Sequence, residues 1–316
     1  MMTTYGLQLP KFTFPVPDDQ LFEHMAGMAT AADDAGFSSL WVMDHFYQLP
    51  GLGGADDKML EGYTLLGALA ARTRSVTLGT LVTGVTYRNP ALLAKEVTTL
   101  DIISAGRAVL GIGAAWYDVE HEGLGVDYPA VGERMDRLEE AVQICRLMFT
   151  EERPTFEGRY YRIKEARNIP GPVQAGGPPI MIGGSGPKRT LRAVARYADM
   201  CNLFGGPDTL RKNIEILHNH CADVGRDPSE VKVTRLGSLF LARSADEAEE
   251  MRQGVAGAMG EEWAREAATF GDADSVAEQV RALVDAGAQE LIFNLPLAND
   301  ADDVTAAGEV LKKALA

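Results

Sequence analysis

The chain has 316 residues, 46% of them hydrophobic. That length exceeds the usual size of one domain but is typical of a (β/α)8 barrel. Its 45 acidic and 30 basic residues give a formal net charge of −15. This balance argues against nucleic acid or an anionic membrane surface as the main partner, because both require broad positive patches.

The cysteines and the N-terminal segment favour a cytoplasmic location. Cys145, Cys201 and Cys221 are far apart and form no CxxC pair, as expected of reduced thiols in a core. No charged flank followed by a long apolar run opens the chain, so no signal peptide is expected. No stretch approaches the roughly 20 apolar residues of a membrane helix.

Amphipathic stretches alternate with short apolar runs along the whole chain. Residues 31–44 and 283–296 repeat the pattern closely: a helix end, a glycine break and an apolar run. Such alternation predicts parallel strands in βαβ units, an α/β fold. Strands are predicted near residues 4–9, 39–44, 76–82, 108–113, 179–183, 200–204, 232–241 and 290–295. Eight strands of this kind predict a closed (β/α)8 TIM barrel.

One connection is too long for a simple βα unit. Residues 115–178 contain a helical pattern near 132–149, followed by a hairpin-like and Pro/Gly-rich return. We interpret this segment as an insertion between strands 4 and 5 at the active face, within a single domain of residues 1–316.

Barrel enzymes build their sites at the C-terminal ends of the strands. Those positions hold one histidine, one adjacent carboxylate, several small residues and few charges, which suits a large planar ligand better than a metal. The residues are Gln8, Asp44, His45, 80–83, 113–117, 183–186, Asn202 and Asn294.

His45 is the candidate proton donor or acceptor, since a histidine titrates close to neutral pH. The alternative is a structural histidine that anchors a loop. No metal is predicted, because no second histidine lies at another strand end. His218 and His220, two residues apart on a predicted helix, point in different directions.

Two glycine-containing turns are candidates for ligand binding. Gly183–Gly186 lies between a strand and a helix, where backbone N–H groups can hold a phosphate; the alternative is a tight turn that requires glycine. The segment 111–116 lacks the third glycine of a dinucleotide fingerprint. Trp116 and Tyr117 beyond it could wall a ring system or belong to the core.

A basic cluster stands out in this acidic chain, and it is either a solvated hairpin or a site for an anionic tail. Its members are Arg153, Arg159, Arg162, Lys164 and Arg167.

Taken in order, these motifs resemble the luciferase-like superfamily, and within it the probable coenzyme F420-dependent oxidoreductases of actinobacteria. The resemblance covers residues 4–236 and returns at 290–296. Its markers are "FSSLWVMDHF", the long run at 79–116, "FEGRYY" and "IGGSGPKRTLRAVARYAD".

The resemblance implies a role for each matching position. His45 would face the redox ring as the catalytic residue, and a non-proline cis bond at Thr80–Leu81 would bulge against that ring. The implied cofactor-binding residues are Asp44, Thr80, Leu81, Thr83, Tyr117, Gly183, Gly184, Ser185 and Gly186.

The implied function is hydride transfer between coenzyme F420 and a small organic substrate. The alternatives are an FMN-dependent monooxygenase and a flavin-binding protein without turnover. Glucose-6-phosphate dehydrogenases of the superfamily carry Glu and Asn where this chain has Ala114 and Tyr117, and no equivalent of their sugar-phosphate lysines is found. A homodimer through helices at 64–72 and 91–103 is expected.

Overall fold

The structure is a computed structural model that describes residues 3–315. Its strands are β1 (Thr4–Leu9), β2 (Ser39–Val42), β3 (Thr77–Thr80), β4 (Thr83–Gly84), β5 (Leu110–Gly113), β6 (Phe156–Glu157), β7 (Arg162–Ile163), β8 (Ile180–Gly183), β9 (Met200–Leu203), β10 (Lys232–Leu241), β11 (Ala268–Gly271) and β12 (Glu290–Asn294). Its helices are α1 (Leu21–Asp34), α2 (Gly62–Ala70), α3 (Pro90–Ile103), α4 (Asp118–Leu124), α5 (Val131–Thr150), α6 (Thr190–Tyr197), α7 (Pro207–Val224), α8 (Ala245–Met259), α9 (Glu261–Ala267), α10 (Ala273–Asp285) and α11 (Ala301–Ala314).

The main sheet is parallel and closes into a barrel. Its order is β3-β2-β1-β12-β10-β9-β8-β5-β4, and β3 and β4 are two segments of one interrupted strand. Leu78 in β3 closes the ring: its amide donates to the Arg107 carbonyl, and its carbonyl accepts from the Val109 amide, both at 2.8 Å. The eight strand positions and the surrounding helices confirm the predicted (β/α)8 barrel.

The predicted strand positions agree with the observed ones to within two residues, apart from the interruption between β3 and β4. One additional strand, β11, pairs in parallel with the extended end of β10 and was not predicted. The predicted hairpin is present as the antiparallel pair β6–β7.

The strands form where apolar residues are buried on both faces. Inside the barrel, a cluster of side chains fills the lumen below the mouth: Trp41, Leu81, Val109, Met181, Met200 and Ile292. Outside, the strands pack against the apolar faces of the helices. The lumen is therefore a packed core, and a cavity opens above it at the C-terminal strand ends.

The connection between β5 and β8 contains three parts. The loop and α4 lie at the mouth, α5 packs between α3 and α6 in the helical layer, and the β6–β7 hairpin leads to a return segment. Gln174 in that return binds the Ala108 carbonyl at the start of β5, so the return reaches the opposite end of the barrel. Treating residues 115–178 as an insertion within one domain remains our interpretation.

Local sequence explains how the mouth helices begin. The Glu61 carboxylate accepts hydrogen bonds from the amides of Tyr63 and Thr64 at the start of α2. Asn89 caps α3, and Pro90 occupies the first helical position, where its missing N–H costs nothing. These caps fix the two helices that flank the β3–β4 edge of the mouth.

Candidate functional site

The C-terminal strand ends surround a cavity of about 340 Å³. Eight of the ten predicted site residues line it: Asp44, His45, Leu81, Thr83, Gly183, Gly184, Ser185 and Gly186. Further lining comes from Val82, Gly84, Tyr87, Gly113, Ala114, Ala115, Trp116, Val131, Met135, Thr190, Asn202 and Phe204. The two remaining predicted residues, Thr80 and Tyr117, lie behind this wall.

His45 follows β2 and is held from behind by a carboxylate. Its Nδ1 lies 2.7 Å from Oε1 of Glu120, a fully buried residue on α4. The His45 ring also stands edge-on to the rings of Trp116 and Tyr117, at centroid distances of 5.6 and 5.9 Å. Hydrogen bonding and ring contacts together fix the orientation of the imidazole in the cavity wall.

Glu120 is a functional candidate that the sequence did not reveal. Its other oxygen accepts hydrogen bonds from the amides of Phe46 (2.7 Å) and Tyr47 (3.3 Å), and Tyr87 donates its hydroxyl to Oε1. Burial alone would raise the pKa of Glu120, but the hydrogen bonds from His45 and Tyr87 outweigh it and place that pKa below its ordinary value. Glu120 is therefore ionised at neutral pH, so Nδ1 of His45 carries a proton and Nε2 is the nitrogen left for the cavity.

Asp44 belongs to a buried ionic cluster beside His45. Its Oδ2 accepts from Arg88 (2.7 Å) and from the Gly84 amide (3.3 Å), and the same guanidinium contacts Glu61 at 2.7 Å and Glu96 at 3.1 Å. Burial raises the pKa of Asp44 to about 6, against the opposing effect of Arg88. At neutral pH the carboxylate is charged, and Arg88 is fully occupied by acidic partners.

Thr80 and Thr83 support the wall through hydroxyl contacts. Thr80 donates to the Gly111 carbonyl (3.1 Å) and lies 2.6 Å from the Thr83 hydroxyl, which also meets the hydroxyl of Tyr63 at 2.7 Å. Thr83 reaches the cavity, whereas the Thr80 side chain is buried beneath it. The predicted contact of Thr80 with a cofactor stays a prediction. The buried Thr80 hydroxyl supports the Thr83 side chain, which lines the cavity.

The predicted cis bond is wrong by one residue. The cis peptide joins Leu81 and Val82 instead of Thr80 and Leu81. The hydrogen bonding between β3 and β2 continues as far as Leu81, whose amide donates to the Val42 carbonyl at 2.8 Å. The strand therefore changes course one residue later than expected, and both Leu81 and Val82 face the cavity.

The turn after β8 has the shape expected of an anion site. Gly184 has φ +117°, a conformation that side-chain-bearing residues rarely adopt, and a Cβ on Gly186 would lie 2.7 Å from the Thr190 hydroxyl. The Ser185 hydroxyl is buried and has no hydrogen-bond partner among residues 3–315. Such an unpaired group is costly without a ligand, so the turn and the start of α6 fit a phosphate.

The segment after β5 forms the aromatic side of the cavity. Ala115 has φ +57°, an uncommon conformation for alanine, and Trp116 next to it is 59% exposed at the rim. Tyr117 turns inward, and its carbonyl lies 2.6 Å from Nδ1 of the buried His121. Of the two aromatic candidates, Trp116 therefore lines the cavity and Tyr117 supports α4.

The basic cluster lies outside the cavity wall. Arg153, Arg159, Arg162 and Lys164 are exposed on and beside the β6–β7 hairpin. Arg162 forms an ion pair with Glu157 at 3.4 Å. This placement favours the solvated-hairpin interpretation, and a role in holding an anionic tail remains a prediction.

The family of this chain follows from its similarity to known proteins. Residues 9–256 match the family model of luciferase-like monooxygenases. The chain belongs to the luciferase-like family, which confirms the resemblance noted in the sequence.

Several relatives have described activities. The chain is 35% identical over 200 residues to an F420-dependent glucose-6-phosphate dehydrogenase of Kineococcus radiotolerans, a match that covers 63% of this chain and 56% of the relative. An enzyme of the same description from Segniliparus rotundus is 28% identical, covering 84% and 86%. A phthiodiolone/phenolphthiodiolone dimycocerosates ketoreductase of Mycobacterium tuberculosis is 31% identical, covering 74% and 67%. The chain thus spans little more than half the length of the first relative.

Solved structures share the fold across two kinds of chemistry. An F420-dependent secondary alcohol dehydrogenase superposes with a TM-score of 0.81 at 21% identity, over 100% of both chains. A long-chain alkane monooxygenase superposes with a TM-score of 0.80 at 15% identity, over 99% of this chain and 91% of the other. At these identities the likeness shows the fold alone.

Proposed function

We propose that the chain binds coenzyme F420 at the barrel mouth and transfers a hydride between it and a small organic substrate. One observation carries the proposal: a single cavity joins an imidazole held by a buried carboxylate to a turn shaped for phosphate. Two of the relatives, those of Kineococcus and Segniliparus, are named F420-dependent dehydrogenases, which supports the choice of cofactor.

The residues present fit such a cofactor at both of its ends. The unpaired Ser185 hydroxyl and the Gly183–Gly186 turn would hold the phosphate. Close to the centre of the barrel, a Cβ on Gly113 or Gly183 would come within 2.8–2.9 Å of Val82. Glycine at both positions keeps the wall beside Leu81 and Val82 open for a flat ring.

The chain's own contribution to the reaction is proton transfer and exclusion of water. A bound deazaflavin supplies a two-electron hydride donor or acceptor. In the oxidising direction Nε2 of His45 accepts the proton of the substrate hydroxyl, and the Glu120 carboxylate stabilises the imidazolium that forms. In the reducing direction Nε2 returns the proton to the carbonyl oxygen. Trp116 covers the imidazole at the rim.

Two measurements test the proposal. Fluorescence titration of the purified protein with F420 and, separately, with FMN should give the smaller dissociation constant for F420. Replacing His45 by alanine should leave F420 affinity within a few-fold and slow the chemical step by roughly 100-fold, the scale of a lost general acid–base group. A His45→Ala variant that turns over normally removes His45 from the mechanism.

The FMN alternative would give a different result in the same experiment. Reduced FMN activates oxygen, whereas a deazaflavin passes hydride. Tighter binding of FMN, with oxygen consumption on reduction, would place the chain among the monooxygenases. Binding of either cofactor without turnover by any substrate would indicate a flavin-binding protein.

The homodimer stays a proposal of the same kind. α3 exposes Leu92, Ile102 and Ile103, and it lies beside α2 in the predicted interface. Exposed large apolar residues at both ends of one helix could contribute to an association surface. Sedimentation at micromolar concentration should give twice the subunit mass, and a monomer would contradict this.

A cytoplasmic location is also proposed. The three cysteines are free and buried, as in proteins of a reducing compartment. Within residues 3–315, no helix has the length and apolar character that a membrane span requires.

A further inference from the structure

The rim of the cavity exposes apolar side chains that a soluble surface usually hides. Trp116, Val131 and Phe204 are 59%, 63% and 48% exposed, and all three line the same cavity. Met135 continues this surface inward and is buried. A group of large apolar residues around a concave opening is typical of a binding site for an apolar molecule.

Within the described residues 3–315, the cavity also has no cationic side chain in its lining for an anionic substrate. None of the residues that line it is a lysine or an arginine. Arg88, just behind Asp44, is held by three carboxylates. Arg134 at the base of the rim is occupied by the carbonyls of Ala114 and Pro129 and by the ring of Tyr128.

The space that adjoins the cavity is acidic. A second groove of about 940 Å³ shares Ser185 and Phe204 with the first, and it is lined by Glu261, Glu262 and Glu266 against a single Arg265. Glu261 is paired with Arg252 at 2.9 Å and Glu266 with Arg265 at 3.2 Å, which leaves Glu262 as the carboxylate without an ion pair among residues 3–315 to repel a phosphate or carboxylate on the substrate. In the proposed function the Gly183–Gly186 turn holds the cofactor phosphate, so a second anionic group on the substrate would be buried without a counter-charge, at a cost of several kcal/mol.

We propose that the substrate is an uncharged alcohol or ketone with an apolar body, seated against Trp116, Val131 and Phe204, and that it is not a sugar phosphate. This inference rests on the proposed function for its redox partner. The carbinol C–H and O–H bonds break and a C=O bond forms. The hydride goes to oxidised F420 and the proton to Nε2 of His45. Carbonyl reduction is the reverse.

Equilibrium binding tests the substrate class without turnover. Isothermal titration of the protein loaded with oxidised F420 uses 2-butanone, 2-hexanone and 2-octanone, because the oxidised cofactor has no hydride to transfer to a ketone. Each added methylene should lower the dissociation constant by about threefold to fourfold, the value for burial of one CH₂ group. Glucose 6-phosphate should not bind at millimolar concentration.

Variants locate the apolar surface. Trp116→Ala and Phe204→Ala should weaken the dependence on chain length. Val173→Ala should leave it unchanged, since Val173 is equally exposed and apolar (57%) but lies near the far end of the barrel, where its amide binds Asp101. An affinity independent of chain length, or glucose 6-phosphate binding more tightly than the ketones, would overturn the inference.

The cofactor titration separates this inference from the proposed function. Failure of F420 to bind refutes the proposed function alone, and the ketone series is then repeated on the FMN-loaded protein. Normal binding of F420 with no preference for apolar ketones refutes the substrate class alone.

Discussion

Replacing Glu120 by glutamine should change which nitrogen of His45 carries the proton. The carboxylate receives donors at both oxygens: the Phe46 and Tyr47 amides at one, and His45 and Tyr87 at the other. Backbone amides can only donate, so the glutamine oxygen must face them. The glutamine NH₂ then faces Nδ1 of His45, which can only accept from it, and the ring proton moves to Nε2.

The size of each effect follows from these bonds. The variant loses charge-assisted hydrogen bonds, each worth roughly 1.5–3 kcal/mol, and keeps neutral ones in their place. We therefore expect the free energy of unfolding to fall by about 1–3 kcal/mol. Alcohol oxidation requires Nε2 to accept a proton, so that step should slow by roughly 100-fold or more. Cofactor affinity should stay within a few-fold, because Glu120 does not line the cavity.

Nitrogen-15 NMR of histidine-labelled protein identifies the His45 tautomer, and single-turnover kinetics measures the rate of the chemical step. Glu290→Gln is the matched control. Glu290 is equally buried and bound to Ser38, Ser39 and Lys232, but it lies at the opposite end of the barrel. The control should lose stability and keep its turnover. Wild-type turnover in Glu120→Gln, or an unchanged His45 tautomer, would refute the assigned role.

Two further predictions concern stability. Because the folded-state pKa of Asp44 is raised to about 6, its stabilising contribution is complete below about pH 4 and is lost as pH rises through 6. Denaturant unfolding at pH 4.5 and 7 should therefore show that the stability of Asp44→Asn relative to the wild type rises by about 2 kcal/mol between these two pH values, and a pH-independent difference would contradict this. A Cβ on Gly111 would lie 2.0 Å from a β3 carbonyl oxygen, so Gly111→Ala should cost about 3 kcal/mol or more, whereas Gly254→Ala, in open space on α8, should add about 0.5–1 kcal/mol. Equal unfolding midpoints for these two variants would show that the barrel tolerates the close contact.

The sequence predicts the barrel because its signals are local. Each strand is an apolar run buried on both faces and bounded by a glycine or a charged turn, as in residues 283–296 leading into β12. In a parallel barrel all C-terminal strand ends meet at one face, so the order of the elements alone assigns His45 and the Gly183–Gly186 turn to one site. β11 was not predicted because it has only four residues, two of them small, and because it pairs with the extended end of β10.

The residues that hold the catalytic side chain in place could not be predicted from such local signals. Glu120 is separated from His45 by 75 residues and lies in a long connection with no repeating pattern. Its role depends on where α4 docks, which is a tertiary property. Trp116 and Tyr117 are adjacent and chemically similar, and only the backbone turn at Ala115 decides which of them lines the cavity. The cis bond was predicted one residue too early because its position came from the family resemblance alone, and nothing in the residues themselves indicates a cis bond.

Because Glu120 lies on the short helix α4, His45 can lose its partner while the barrel stays folded. A helix of seven residues is unstable alone, and α4 is held by Glu120 together with His121, whose ring stacks on Tyr87 at 4.6 Å and whose Nε2 lies 2.7 Å from the Thr86 hydroxyl. α4 can therefore open locally at a lower free energy than the barrel unfolds. When it opens, the imidazole loses its partner while every strand remains in place. We therefore expect proton transfer to be lost at a lower temperature than the barrel unfolds, which activity and circular dichroism followed over the same temperature range would check.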